Sequence, residues 1–149
     1  MNFKREISFI AVFLFLVMVF YMASGRVENF GDAYVRIVGV KIKVDIVDEP
    51  AEREVGLGGR FFLARDEGML FIFEHPGKYK FWMRGMKFPI DIIWINETME
   101  VVYIKEDARH ETPSESFGPD QDAIYVLEVY SGFADDHDLR VGDKVEFDF

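Results

Sequence analysis

In VKIKVDIV, residues 40–47, Val40, Ile42, Val44 and Ile46 alternate with Lys41, Lys43 and Asp45. A period of two puts the apolar set on one face of a strand and the charged set on the other. The same kind of pattern predicts strands at 68–73, 78–83, 91–95, 100–105, 123–129 and 144–149. In the last of these, Val145, Phe147 and Phe149 are expected to point inward. Two hairpins are expected, one turning at Glu74-His75-Pro76-Gly77 and one at Asn96-Glu97-Thr98. Between the first two strands, Asp48 and Pro50 suit the start of a short helix, and Gly56, Gly58 and Gly59 suit its end. SGFADDHDLRVGD, from Ser131, opens with a serine suited to cap one helical turn. Residues 107–122 form a long polar stretch broken by prolines, of a size that is often mobile or functional. The predicted class is mostly β (β-rich α+β): a compact antiparallel barrel or sandwich of about seven short strands with one or two short helices.

The pattern changes character at the amino end. Residues 7–23, ISFIAVFLFLVMVFYMA, have no polar face, and Lys4 and Arg5 precede them. As a helix this run spans roughly 25 Å, near the lower limit for crossing a bilayer. Residues 1–26 therefore read as an N-terminal transmembrane helix or signal segment, 27–34 as a tether, and 35–149 as a single domain. The flanking cations hold the amino end in the cytoplasm, which puts the domain outside the membrane. Ala23-Ser24-Gly25 offers a cleavage site, so a secreted form released from its signal peptide is the alternative.

Composition narrows the chemistry. Half the residues are hydrophobic and 16% are aromatic, so the chain has ample material for a core. It has no cysteine, which removes disulfides, thiolate metal sites and thiol nucleophiles. The formal net charge is −10. Without residues 1–26 there are 17 − 3 = 14 basic and 27 − 1 = 26 acidic side chains, a balance of −12. Such a surface repels nucleic-acid phosphates, and no nucleic-acid partner is expected. His75, His110 and His137 lie in separate predicted turns and Met69 and Met83 in apolar strands, so no metal site is expected. No phosphate-binding glycine loop or nucleophile elbow is present, and no cofactor is expected.

Against that acidic background, KFWMRGMKFPIDIIW (80–94) carries three cations, Lys80, Arg84 and Lys87, among nine large apolar side chains and one proline. Strand alternation assigns Tyr79, Phe81 and Met83 to the core side. Lys78, Lys80, Trp82 and Arg84 go to the other side, with Lys87 nearby. Two readings stand: a solvated face with a cation stacked on Trp82, or a platform for a protein, peptide or carbohydrate ligand held by Trp82, Lys80, Arg84, Lys87 and Asp91. Asp91 and Glu128 (in AIYVLEVY) are carboxylates in apolar surroundings. They form a candidate catalytic acid–base pair of an envelope-acting hydrolase or transferase. The favoured reading of the two is that they tie down backbone donors or pair with Arg60 or Arg84. Asn96-Glu97-Thr98 is a glycosylation sequon at a predicted hairpin tip.

EREVGLGGR, DEGMLFIF, FWMRGMKFPIDIIWI, ETP, YVLEV and VGD occur here in the order seen in the domain of unknown function 192 family, which the chain resembles from about residue 40 to 147. The resemblance implies a compact β-rich domain, often behind a signal peptide or membrane anchor, and no established activity. Its signature positions fall on Gly56, Leu57, Arg60, Gly68, Met69, Leu70, Phe71, Phe81, Trp82, Met83, Pro89, Asp91 and Glu128. Many members carry Lys-Asn-Thr where this chain has Arg84-Gly85-Met86, which keeps a cation and removes two polar side chains. The favoured function is a non-enzymatic binding or accessory module using the Trp82 face.

Overall fold

The computed structural model describes residues 33–111 and 115–149. Among these residues, nine strands and two short helices follow one another in chain order. They are β1 (Tyr34–Ile37), β2 (Val40–Val47), α1 (Pro50–Val55), β3 (Glu67–Gly77), β4 (Phe81–Trp82), β5 (Ile90–Ile95), β6 (Val101–Ala108), β7 (Ser116–Phe117), β8 (Ala123–Tyr130), α2 (Phe133–Asp136) and β9 (Val145–Asp148). Seven strands form one curled sheet, a half-barrel, in the order β6-β5-β8-β3-β2-β1-β9. Its two edges approach at one end, where Glu100 bridges to Lys144 and the Val101 N–H donates to the Asp143 carbonyl. β4 and β7 pair separately. The chain thus forms neither a two-sheet sandwich nor a fully antiparallel array, because β2 and β3 run parallel. The connection through α1, residues 48–66, is long enough for the crossover that a parallel pair requires.

Both faces of the sheet are covered. One face gathers apolar side chains from all seven strands, including Val35, Ile42, Leu70, Ile93, Val101, Leu127 and Val145, and is the inside of the curl. The other is covered only over the central strands, where Met69, Phe71, Ile92, Trp94 and Val126 meet Leu57, Met83 and Phe117 from connecting segments. Double coverage explains why β5 is buried at all six positions. Gly68 sits where a side chain cannot: a Cβ there would lie 2.8 Å from the Glu128 carbonyl oxygen and 3.2 Å from Ile42.

Several expectations are corrected. No hairpin turns at 74–77. β3 continues to Gly77, and its later part meets β8 across a register shift after Ile72. Residues 78–80 carry no ladder. Tyr79 instead folds back to stack on Phe73 at 3.5 Å between centroids, and its hydroxyl donates to the His75 carbonyl at 2.6 Å. His75 therefore lies in a strand. The hairpin at 96–98 is present between β5 and β6, closed by the Asn96 Oδ1, which accepts from the Thr98 and Glu100 N–H groups. α1 occupies its expected place, with Pro50 in the first turn and Gly56 after the last. α2 is not capped by serine: its N-cap is Gly132, and Ser131 donates its hydroxyl to Asp107. Phe149 is exposed, stacked on Phe147, rather than turned inward. The long loop expected over 107–122 is shorter, since β6 reaches Ala108 and β7 occupies 116–117. Ala33 is already buried and β1 opens at Tyr34, so ordered packing reaches into the expected tether. The apolar run 7–23 and the anchor or signal segment 1–26 lie outside the described residues. Among the described residues no helix is long and apolar enough to cross a membrane.

Candidate functional site

The outer face of β3 and β8 carries a pocket. Strand alternation sends Phe71, Phe73 and Glu128 to this face. α1 and Gly56-Leu57 form one wall, and residues 79–86 form another. The cavity holds about 350 Å³, within the range of small-molecule sites. Phe81 stands edge-on to Phe71 and to Trp94, at 4.8 and 5.7 Å between centroids, which braces the aromatic wall from behind. The Trp94 indole N–H donates to the Tyr79 carbonyl at 2.9 Å and fixes the start of that segment.

Trp82 stands at the rim of this pocket. It is 44% exposed, and the Arg84 guanidinium lies 5.7 Å from its ring centroid. The expected alternation around it holds: Met83 is buried, Tyr79 and Phe81 are half-buried, and Lys78, Lys80, Trp82 and Arg84 are exposed. Phe81 and Tyr79 line the pocket as well as packing inward. The cations are not equivalent. Lys80 donates to the Gly118 and Pro119 carbonyls. Lys87 donates to the Gly59 carbonyl and sits 3.7 Å above the Phe61 ring, outside the pocket lining. Arg53 donates to the Asp48 and Ile72 carbonyls and covers Phe73. Arg84 has no carboxylate partner among the described residues.

Glu128 lies in the pocket wall from the sheet side, 5% exposed. Its Oε2 has no hydrogen-bond partner among the described residues. Burial pushes this carboxyl up to about 8, against a smaller opposing pull from the Arg60 guanidinium. The group is therefore neutral at pH 7 and presents an O–H donor. Gly56, with φ at +51°, leaves the space beside it open: a Cβ there would lie 3.2 Å from the Phe71 ring and 4.0 Å from Glu128 Oε2.

Asp91 is elsewhere. Register pairs it with Val129, one residue from Glu128, so the two carboxylates project to opposite faces of the sheet. Asp91 is fully buried and accepts from three backbone N–H groups: Asp107 at 2.9 Å, Gly132 at 3.2 Å and Ala134 at 2.9 Å. It ties β6 and the start of α2 to β5, satisfying helix donors that have no partner of their own. The acid–base pair is not assembled, and Asp91 does not border the Trp82 pocket. Arg60 does not pair with Asp91 either; it bridges Asp45 at 2.7 Å. Asn96 stands at its hairpin tip with Oδ1 held by the turn and by the Thr98 hydroxyl.

Sequence reasoning flagged Trp82, Arg84 and Glu128 but did not join them. Arg53 and Phe73 were missed, Gly56 and Phe71 stood only as family signature positions, and the missed relation is that Glu128 shares a cavity with Trp82. The isolated carboxylate in an otherwise apolar strand was the available signal.

The fold has counterparts among known proteins. The DUF192 family model, described as "Uncharacterized ACR", matches residues 33–147. The chain belongs to the DUF192 family. A solved protein of unknown function from Novosphingobium aromaticivorans is similar to this DUF192 chain, with 29% identity and a TM-score of 0.71 over 76% of this chain and 82% of that one. A candidate transcription regulator from Sinorhizobium meliloti is similar at 26% identity and a TM-score of 0.74, over 83% and 98% of the two chains. No curated protein matches the chain.

Proposed function

We propose that this DUF192 domain is a non-enzymatic binding module whose pocket beside Trp82 receives a small ligand or the end of a peptide. One observation carries the reading: a buried carboxyl with an unpartnered oxygen lines an aromatic cavity. Natural interiors rarely leave such a group unsatisfied. The exposed Trp82 ring and the unpaired Arg84 at the rim support it. The apolar run 7–23 supports a membrane-anchored domain held outside the cytoplasm, and the sequon at Asn96 lies on a tip a glycan could use. The regulator description of the Sinorhizobium protein finds little support in a chain of net charge −10.

A fragment screen by protein-observed NMR tests the reading, with the full chain as wild type, Trp82→Ala and Arg84→Ala. Fragments are expected to bind the wild type with resonance changes at the Trp82 indole, and to bind Trp82→Ala at least ~10-fold more weakly. Melting temperature should barely move, because a half-exposed ring in a cation–π contact contributes only about 0.5–1 kcal/mol. A screen with no hit at the indole, or with identical hits on all three proteins, would refute the pocket as a binding site.

A further inference from the structure

We infer that the pocket selects small organic anions of one pattern: an acid group at the rim against Arg84, a flat apolar body beside Trp82, and an oxygen at the far end hydrogen-bonded to Glu128. The inference rests on the reading of the pocket as a binding site and specifies what it takes. Arg84 and Glu128 differ in kind, one a charged fork at the rim and the other a buried carboxyl.

At the rim, Arg84 lies against Trp82 and has no carboxylate partner among the described residues. A guanidinium is a planar fork matched to a carboxylate or phosphate, and an aromatic face beside it suits a ring stacked in the same plane. Away from the rim, Glu128 Oε2 is buried without a partner. Its environment keeps the carboxyl protonated at neutral pH. A protonated carboxyl gives one O–H donor and keeps an acceptor, which is what a hydroxyl or carbonyl oxygen needs, and it does not repel an incoming anion. Phe71, Phe81 and Met86 line the same cavity and give it an apolar wall.

The charges around the cavity discriminate further. Arg53 and Lys80 from α1 and the 79–86 segment line it with Arg84, and Glu54 is the one acid in the lining besides Glu128. Arg60, bridged to Asp45, adds its field at Glu128. An amine seated here would meet these cations and a neutral glutamic acid, so cationic ligands are disfavoured.

The test uses 4-hydroxyphenylacetate, phenylacetate and 4-hydroxyphenethylamine as probes, titrated calorimetrically into the full chain at pH 7. The hydroxy acid is expected to bind at least ~10-fold tighter than phenylacetate, and the amine more weakly than either. Glu128→Leu should reduce the hydroxyl preference to below ~2-fold, while Glu128→Gln, which keeps a donor, should retain most of it. Arg84→Ala should weaken both acids by the same factor. Raising the pH through 8 should weaken the hydroxy acid in the wild type and leave its affinity for Glu128→Gln unchanged. Equal binding of the two acids, a preference that survives Glu128→Leu, preference for the amine, or binding of none of the three would overturn the inference. In each of those cases fragments of other chemistry that reach the Trp82 indole would leave the binding module standing, whereas a screen empty at the indole removes both.

Discussion

Asp91 and Glu128 occupy adjacent β5 and β8 register positions and meet opposite fates. Asp91 accepts three backbone N–H groups from two other segments. Replacing it by Ala leaves all three donors without an acceptor, and the expected loss in urea unfolding is ~3–5 kcal/mol. Asn, which keeps one acceptor oxygen, should lose less; an Ala variant within 1 kcal/mol of wild type would contradict the assigned role. Glu128 behaves in the other direction. Its carboxyl is raised from 4.5 to about 8 in the folded state. The folded protein binds this proton more tightly than the unfolded chain, so stability is greatest below about 4.5 and falls as pH rises towards about 8. Glu128→Gln removes that slope. Between pH 5 and pH 9 the variant should gain on the order of 4 kcal/mol over wild type. Parallel stability–pH curves for the two proteins would show that the carboxyl is ionised.

Elements long enough to show an alternation or a turn signal were legible, and the shortest ones were not. β2, the core of β5 and the hairpin at Asn96 all follow from alternation and turn chemistry within a few residues. β1 (Tyr34–Ile37) and β7 (Ser116–Phe117) were missed because each is too short to show a period: β1 turns straight back into β2 at Val38-Gly39 and finds its second partner in the distant β9, and β7 pairs with the distant β4. The failed hairpin at 74–77 has a different origin. Pro76 has no N–H to give a ladder, and the Tyr79–Phe73 stack turns the chain without one. For the site, alternation sorted Trp82 and Arg84 to the exposed side correctly, and an apolar strand exposed the oddity of Glu128. That the two belong to one cavity depends on the parallel β2–β3 crossover bringing α1 across the sheet, which no local pattern encodes. The same sheet layer makes a sharp prediction: Gly68→Ala drives a Cβ against the β8 backbone, and denaturation should register a loss of about 1–3 kcal/mol. A variant as stable as wild type would mean β3 and β8 are further apart than described.

Across the whole molecule, the acidic balance and the cationic rim divide the labour. The remainder past residue 26 carries −12, yet Arg53, Lys80 and Arg84 converge on one opening. The fold that positions them is shared with the Novosphingobium and Sinorhizobium proteins at TM-scores of 0.71 and 0.74. In the sheet, the first strand lies beside the last: Tyr34 is in register with Asp148, and Ile37 with Val145. Antiparallel neighbours stand only about 5 Å apart. The domain is therefore a ring with a seam, and the seam can be moved. Joining residue 149 to residue 33 through a few glycines and opening the chain at the Glu97-Thr98 tip should give a circular permutant with the wild-type fold and an intact pocket. Circular dichroism and the Trp82 response to fragments would check both, and an unfolded permutant would show that the order in which β1 and β9 enter the sheet matters as much as their adjacency.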